Sequence, residues 1–174
     1  MTVVYPEGVR ARGNEAVIFV PGVIADLEAP TVAELTAVGT VNISCWLSGF
    51  QPQGNQDSAE DRRLCSEQIF EDPGDVAISI DNLEYVYYPQ ATAPTANNKA
   101  YEVMKKDVAG YIVDRRGLNA RTVAVAAAQK VDIYPVRLGE QFRMPLDPGE
   151  QGGKFRISQK AFVTGPYEYD AVVA

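Results

Sequence analysis

Apolar and polar residues alternate along several stretches of this chain. The alternation predicts β-strands, because successive side chains of a strand point to opposite faces. The longest stretch is GDVAISIDNLEYVYYPQ, residues 74–90, where Val76, Ile78 and Ile80 are separated by smaller or polar residues. Further strands are predicted over residues 15–22, 40–47, 111–116, 121–127, 129–138 and 153–164. Pro135 indicates an edge position or a bulge in its strand, since proline lacks a backbone N–H.

A helical period replaces the alternation in NNKAYEVMKKDVAGY, which predicts one longer helix. Asn97 or Asn98 is a suitable cap at its start, and Gly110 a suitable end. Its apolar stripe, at helical spacing, consists of Ala100, Tyr101, Met104 and Val108. We interpret this stripe as the face that packs against the core.

A shorter helix of one or two turns is predicted over residues 31–37. Thr31 precedes Glu34 by three positions, which is the capping-box spacing, and Gly39 offers a stop. About seven strands against one longer helix, without regular alternation of the two, favour a mainly β fold. The pattern is typical of an antiparallel sandwich or barrel with one α-helix packed on its flank.

The segment SGFQPQGNQDSAEDRR, residues 48–63, is polar and rich in turn residues, and it predicts a long loop. A structureless connection of this length is uncommon in a compact domain and often has a function. Two interpretations remain open. The segment is either a solvated surface loop or a loop that becomes ordered against another subunit.

Length, hydropathy and charge limit the number of domains and the kinds of partner that the chain can have. The 174 residues are enough for one domain with a proper core. No apolar run approaches the roughly 20 residues of a transmembrane helix, and the start MTVVYPEGVR lacks the layout of a secretory signal. We therefore expect no membrane contact and folding in a cytoplasm. The net charge of −7 argues against binding of phosphate backbones, which needs clustered lysine and arginine.

The absence of histidine from the sequence removes the commonest general base and metal ligand. It excludes Ser-His-Asp and Cys-His catalytic arrangements as well as mixed Cys/His zinc sites. Nothing in the sequence places two of the remaining carboxylates around a substrate. We expect a protein that is not an enzyme and that has no cofactor and no metal site.

The two cysteines leave two readings open. Cys45 follows the alternation of Val41 and Ile43, so it is predicted to be a buried core thiol, with Trp46 on the opposite face of the strand. The alternative is a disulfide between Cys45 and Cys65, which a reducing cytoplasm disfavours.

Several features occur in a characteristic order along residues 30–174. They are a Cys-Trp strand with the loop that RLC closes (TVNISCWLSGFQPQGNQDSAEDRRLC), a tyrosine-rich strand (LEYVYYPQ), a helix leading into GYIVDRRG (NKAYEVMKKDVAGYIVDRRGL), a KVDIYPV strand (AAQKVDIYPVRLGEQ) and a VTGP tail (FVTGPYEYDAVVA). In these features the chain resembles the major tail tube proteins of long-tailed, siphovirus-type phages of actinobacteria, whose tails do not contract.

The resemblance implies an antiparallel β-sandwich of the tail-tube type that assembles into hexameric rings. Strands of six subunits would close an inner β-barrel, and stacked rings would form a tube that conducts genome DNA to the host without specific binding. It also implies a virion protein, assembled in the host cytoplasm, with a tape measure protein, a tail terminator and distal tail proteins as partners. A single tail tube domain would span residues 1–174, with an N-terminal arm (1–15), a long inter-subunit loop (48–72) and a C-terminal tail (165–174).

Candidate residues follow from this implied role. An acidic channel wall would repel DNA phosphates, so polar positions opposite the apolar faces of long strands are candidates for the lumen. These positions are Ser79, Asp81, Glu84 and Asp132. Apolar residues available to anchor the inter-subunit loop are Phe50, Leu64, Ile69 and Phe70. The alternatives are another structural protein of a phage tail or head-tail joint, and a small-molecule-binding β-barrel.

Overall fold

Within the residues that the structure describes, nine antiparallel strands account for most of the regular secondary structure. The computed structural model describes residues 7–65, 67–91, 96–146, 149 and 153–174. The strands are β1 (Glu15–Val20), β2 (Val41–Asn42), β3 (Leu47–Phe50), β4 (Gln53–Asp61), β5 (Phe70–Val86), β6 (Ala109–Arg116), β7 (Lys130–Arg143), β8 (Arg156–Val163) and β9 (Glu168–Val172). The helices are α1 (Val32–Leu35) and α2 (Lys99–Val103), the latter preceded by a 3-10 turn, Ala96–Asn98. The predicted mainly β class is confirmed.

The strands form a curled antiparallel sheet in the order β2-β1-β6-β7-β8-β5-β3. Two strands lie off this path: β4 pairs with β5, and β9 pairs with the first residues of β7. Pro135 lies where the neighbour of β7 changes from β9, which pairs up to Ile133, to β8, which pairs from Val136. The missing N–H therefore falls at a break between two ladders, in a strand that has neighbours on both sides.

The concave side of the curl holds the larger apolar cluster. Its buried members come from β1, β2, β5, β6, β7 and β8, from the residue after β2, and from α2 with the residue that ends it: Val17, Phe19, Val41, Ile43, Ile80, Leu83, Tyr85, Ala100, Met104, Ile112, Tyr134, Val136, Leu138, Ile157 and Ala161. Helix α2 lies on this side, as the helical stripe predicts. Burial of this apolar face is the main driving force for the fold.

A buried polar network attaches α2 to the sheet. Gln141 Nε2 donates to the Met104 carbonyl at 2.9 Å and to Tyr85 Oη at 2.7 Å. Gln159 Nε2 donates to the same carbonyl at 3.0 Å, and Tyr85 Oη donates to Gln159 Oε1 at 3.0 Å. Carbonyl groups at a helix end need such partners when they are buried. The helix ends at Val103, earlier than predicted, because Met104 leaves the helical conformation, with φ of −90° and ψ of 51°.

The opposite face of the sheet is covered over β1, β6 and the start of β7. The cover comes from residues 24–35 and from the C-terminal residues 171–173, which bury a second apolar cluster. The capping box of α1 is confirmed, since the Thr31 hydroxyl accepts from the backbone of Glu34, and the Glu34 carboxylate accepts from the backbone of Thr31. Strand β9 lies within the predicted C-terminal tail, so that segment belongs to the sheet.

The strand predicted over residues 121–127 is wrong, because this segment is an irregular loop. Its backbone carbonyls accept from the buried Arg115 instead of from a neighbouring strand. Arg115 Nη2 donates to Val123 O at 2.8 Å, and Nη1 donates to Ala124 O at 3.0 Å. One guanidinium has enough donors to hold several carbonyls that lack a ladder partner.

Candidate functional site

Strands β4 and β5 project from the sheet as a two-stranded hairpin, which we call the hairpin arm (residues 53–79). The register runs from Gln53 opposite Ser79 to Asp61 opposite Phe70. Every residue of β4 except Asp61 is exposed. Nine residues at about 3.3 Å each give the arm a length of roughly 30 Å.

The arm replaces most of the loop predicted over residues 48–72, and this part of the prediction is wrong. The polar sequence gives no apolar alternation because, among its described residues, the arm packs on the concave cluster only through Ile78 at its base. The two strands are held by their backbone ladder, which contains a bulge between Gln56 and Ser58. Gly74 lies at this bulge, where a Cβ atom would be 2.8 Å from the Asp57 carbonyl oxygen.

Large apolar side chains on and near the arm are exposed to solvent. Leu64 is fully exposed, and Ile69, Phe70 and Val76 each expose about half of their surface. Phe50 differs from the other three predicted anchors, because it lies in β3 opposite Leu83 and packs against the concave cluster. The structure thus brings Leu64, Ile69 and Phe70 to the arm and leaves Phe50 with the body.

The outward face of β3, β5, β8 and the end of β7 lacks the cover that residues 24–35 give the other half of the sheet, and we call it the bare face. Glu84, Ser158 and Phe142 are register partners across three of its strands. Phe142 and Phe162 are both at least half exposed. Polar and large aromatic side chains therefore share this outward surface.

Three of the four predicted lumen residues lie together on or beside the bare face. The Ser79 hydroxyl donates to Asp81 Oδ2 at 2.8 Å, and the Lys160 ammonium forms an ion pair with Asp81. The hydrogen bond from Lys160, followed by that from Ser79, lowers the pKa of Asp81. Glu84 accepts from Asn82 Nδ2 at 2.9 Å.

The fourth, Asp132, lies elsewhere, in what we call the acidic cleft. This cleft of about 600 Å³ is at the opposite end of the β6–β7 pair from α2. Its lining residues are Pro52, Asp114, Arg116, Lys130, Val131, Asp132, Tyr134, Tyr169 and Asp170. Asp114 and Asp132 are register partners. The sequence patterns did not indicate Asp114 and Arg116, because these residues approach Asp132 only through the register of β6 and β7.

Charges in the acidic cleft are only partly compensated. Arg116 Nη2 lies 2.7 Å from Asp114 Oδ2, and its Nη1 lies 3.6 Å from Asp132 Oδ2. Burial raises the pKa of Asp114 to about 6, against the lowering effect of Arg116. Within the described part of the chain, the buried Asp114 Oδ1 has no hydrogen-bond partner.

The prediction that Cys45 is a core thiol is wrong, because both Cys45 and Cys65 are exposed free thiols. The alternation ends at Ile43, where the chain turns instead of continuing as a strand. The Ser44 hydroxyl accepts from the backbone N–H of Val17 at 2.8 Å and anchors this turn. Trp46 packs against the concave cluster and donates from Nε1 to the Asn97 carbonyl at 3.0 Å.

Among the described residues, no group of three or more acids or cysteines is placed to hold a metal ion. In the same part of the chain, no helix is long and apolar enough to cross a membrane. Residues 1–6 of the predicted N-terminal arm lie outside the described residues. Residues 7–12 of that arm are exposed.

Comparison with known families decides the assignment. A family model described as phage tail tube protein matches residues 2–174. The chain belongs to this phage tail tube protein family. It is therefore a structural component of the virion tail, and it assembles with other subunits into that tail. No curated protein matches the chain.

Proposed function

We propose that this tail tube protein forms hexameric rings that stack into a non-contractile tube, and that genome DNA passes through this tube to the host. The observation that carries the proposal is the hairpin arm. A two-stranded hairpin is marginally stable by itself in water, yet this arm extends for roughly 30 Å with exposed apolar residues near its tip. Burial of the arm against a neighbouring subunit removes this difficulty.

The arm is the contact that locks subunits within or between rings. Leu64, Ile69 and Phe70 supply apolar area for that contact. Fully burying each of these side chains contributes on the order of 1.5–3 kcal/mol. Phe50 takes part only indirectly, by fixing β3, from which the arm leaves the sheet. Contacts between rings by the N-terminal arm and the C-terminal residues belong to the same proposal.

The bare face is the side that we assign to the channel, with Ser79, Asp81 and Glu84 as its polar residues. The excess of acidic residues in the chain supports a wall that does not retain DNA, because like charges repel phosphates within a Debye length of about 10 Å. Asp132 is not included, since it lies in the acidic cleft. The tape measure protein inside the tube, and the terminator and distal tail proteins at its ends, are the proposed partners.

Negative-stain electron microscopy of the purified chain at increasing concentration tests the proposal. We expect ring-shaped particles with sixfold symmetry and stacks of constant diameter, formed without another protein. In purified virions, we expect many copies per particle. A chain that stays monomeric at high concentration, or that is present in only a few copies per virion, would be a joining protein or a small binding protein instead.

A further inference from the structure

We propose that the acidic cleft is a socket for an arginine side chain from the hairpin tip, Arg62 or Arg63, of a second copy of this chain. The inference rests on the proposed assembly into a tube and names one contact within it. The socket lies at the root of the arm, where β4 begins, and the two arginines lie at the tip of the arm.

The first observation is the unsatisfied carboxylate in the cleft. Asp114 is about 1% exposed, and its Oδ2 accepts from Arg116 Nε at 2.7 Å. Its Oδ1 has no partner among the described residues. A buried polar atom without a partner is costly, and native structures satisfy nearly all such atoms. A donor from outside the chain can satisfy this one.

The second observation is the chemistry of the cleft walls. The cleft is lined by three carboxylates, Asp114, Asp132 and Asp170, and by only two cations, Arg116 and Lys130. The rings of Tyr134 and Tyr169 form a T-shaped pair with centroids 6.1 Å apart, and Tyr169 is about half exposed. Carboxylates beside aromatic rings can bind a guanidinium, because the guanidinium forms ion pairs with the carboxylates and stacks on the rings.

The arm tip carries two arginines whose present partners are weak. Arg62 pairs with Glu60 at 2.7 Å, and Arg63 pairs with Asp61 at 2.7 Å. Arg62, Glu60 and Arg63 are exposed and Asp61 is partly buried, and ion pairs at the surface contribute little to stability. The fully exposed Leu64 directly follows them. A guanidinium at the tip therefore loses little when it exchanges its partner for a buried carboxylate.

The placement of root and tip supports a second copy as the occupant. Pro52, which directly precedes β4, lines the cleft. A contact from the tip of one subunit to the root of the next is heterologous. Such a contact repeats, either around a closed ring or along a stack.

Entry of the guanidinium requires one rearrangement. Asp114 Oδ1 is closed to solvent in the single chain, and the half-exposed Arg116 side chain lies over this carboxylate. Arg116 already lies 3.6 Å from Asp132. We expect Arg116 to move fully onto Asp132 when the incoming arginine pairs with Asp114.

A double-mutant cycle tests the contact in assembly. Its three variants are Asp114→Asn, the double change Arg62→Gln with Arg63→Gln, and all three changes together. The critical concentration for tube formation is measured for each variant. We expect Asp114→Asn alone, and the double arginine change alone, each to raise that concentration about tenfold or more, since hydrogen bonds between charged groups are strong. We expect the combination to add nothing further. Effects that multiply in the combined variant would overturn the proposal.

A matched control removes the same charge elsewhere. Lys99 and Arg121 are exposed and lie outside the arm and the cleft. We expect Lys99→Gln with Arg121→Gln to change the critical concentration less than twofold. If the control raised the critical concentration as much as the tip variant does, the tip effect would come from the loss of positive charge in general. That result would contradict the proposal.

A titration of the monomer tests the socket without assembly. The probe is N-acetyl-L-arginine amide, and the readout is the ¹³C signal of the Asp114 carboxyl as a function of pH at constant ionic strength. The charged groups that face this carboxyl are Arg116 on β6, Glu15 on β1, Asp132 and Lys130 on β7, and Asp170 on β9. We expect the probe to lower the pKa of Asp114, and N-acetyl-L-norleucine amide to leave it unchanged.

Failure of the socket and failure of the proposed function give different results. Tubes that form while the Asp114 titration is the same with and without the arginine probe would contradict the socket and leave the proposed function intact. A chain that forms no tubes, but whose Asp114 responds to the arginine probe, would contradict the proposed function and retain the socket.

Discussion

The two ends of strand β5 have opposite environments. At its C-terminal end, Ile80, Leu83 and Tyr85 are completely buried in the concave cluster. Residues 70–79 form one side of the hairpin arm, where Val76 exposes about half of its surface. The same strand has an extensive packed core at one end and little beyond a backbone ladder at the other.

The comparison shows that the body and the arm have different sources of stability. The body buries its own apolar face within the chain. The arm has a ladder but no packed face, and ordering each residue costs about 1 kcal/mol or more. Under the proposed function, we expect the arm to obtain its packing from neighbouring subunits and to be the element on which assembly depends.

The largest expected effect comes from removing the arm. Gly54 and Ile78 are register partners, so residues 55–77 can be replaced by an Asn-Gly turn that preserves this pair. We expect a folded subunit whose unfolding free energy is within about 1 kcal/mol of the parent value, since little core is lost. We expect no tubes, as judged by electron microscopy and sedimentation.

A suitable control keeps the arm and changes only its exposed polar surface, for example Gln53→Ser with Asn55→Ser. This variant should still assemble. If the shortened chain formed tubes as readily as the parent, the arm would not be the assembly element.

The next largest effect separates the two ends of β5. Leu83→Ala should lower the unfolding free energy of the subunit by about 3 kcal/mol, because it leaves a cavity in the packed cluster. Val76→Ala should change it by less than about 0.5 kcal/mol, because this side chain has no packed surroundings in the single chain. Denaturant unfolding below the assembly concentration measures both. Equal losses at the two positions would show that the arm is packed in the monomer.

A smaller effect concerns the acidic cleft of the body. The pKa of Asp114 is raised to about 6 in the folded chain, so the folded state holds this proton more tightly than the unfolded state. The subunit therefore loses stability as pH rises from about 4 to about 6. Asp114→Asn should stabilise the monomer by about 2 kcal/mol at neutral pH and have little effect near pH 3. A gain that is independent of pH would contradict this account.

Sequence patterns predicted the body well because its residues alternate where they are buried. The buried half of β5 and the capping box at Thr31 are examples. Cys45 was misplaced because alternation does not reveal where a strand ends. Here a hydrogen bond between Ser44 and the distant Val17 backbone fixes a turn.

The arm and the cleft were missed for different physical reasons. Strand β4 buries no face, so its sequence contains none of the alternation that marks strands in a core. Asp114 and Asp132 become neighbours only through the register of β6 and β7, and the sequence alone does not specify this register. Long-range pairing also places Asp132 apart from Ser79, Asp81 and Glu84, with which it shares only its polarity.

Hydrogen exchange on the monomer and on the assembled tube tests the dependence of the arm on its neighbours most directly. Backbone amides in residues 53–61 and 70–77 should exchange quickly in the monomer, because a hairpin without a packed face opens readily. Amides of Ile80, Leu83 and Tyr85 should be protected in both states. We predict that protection of the arm rises strongly on assembly while that of the body changes little. Equal protection of the arm in monomer and tube would contradict the account.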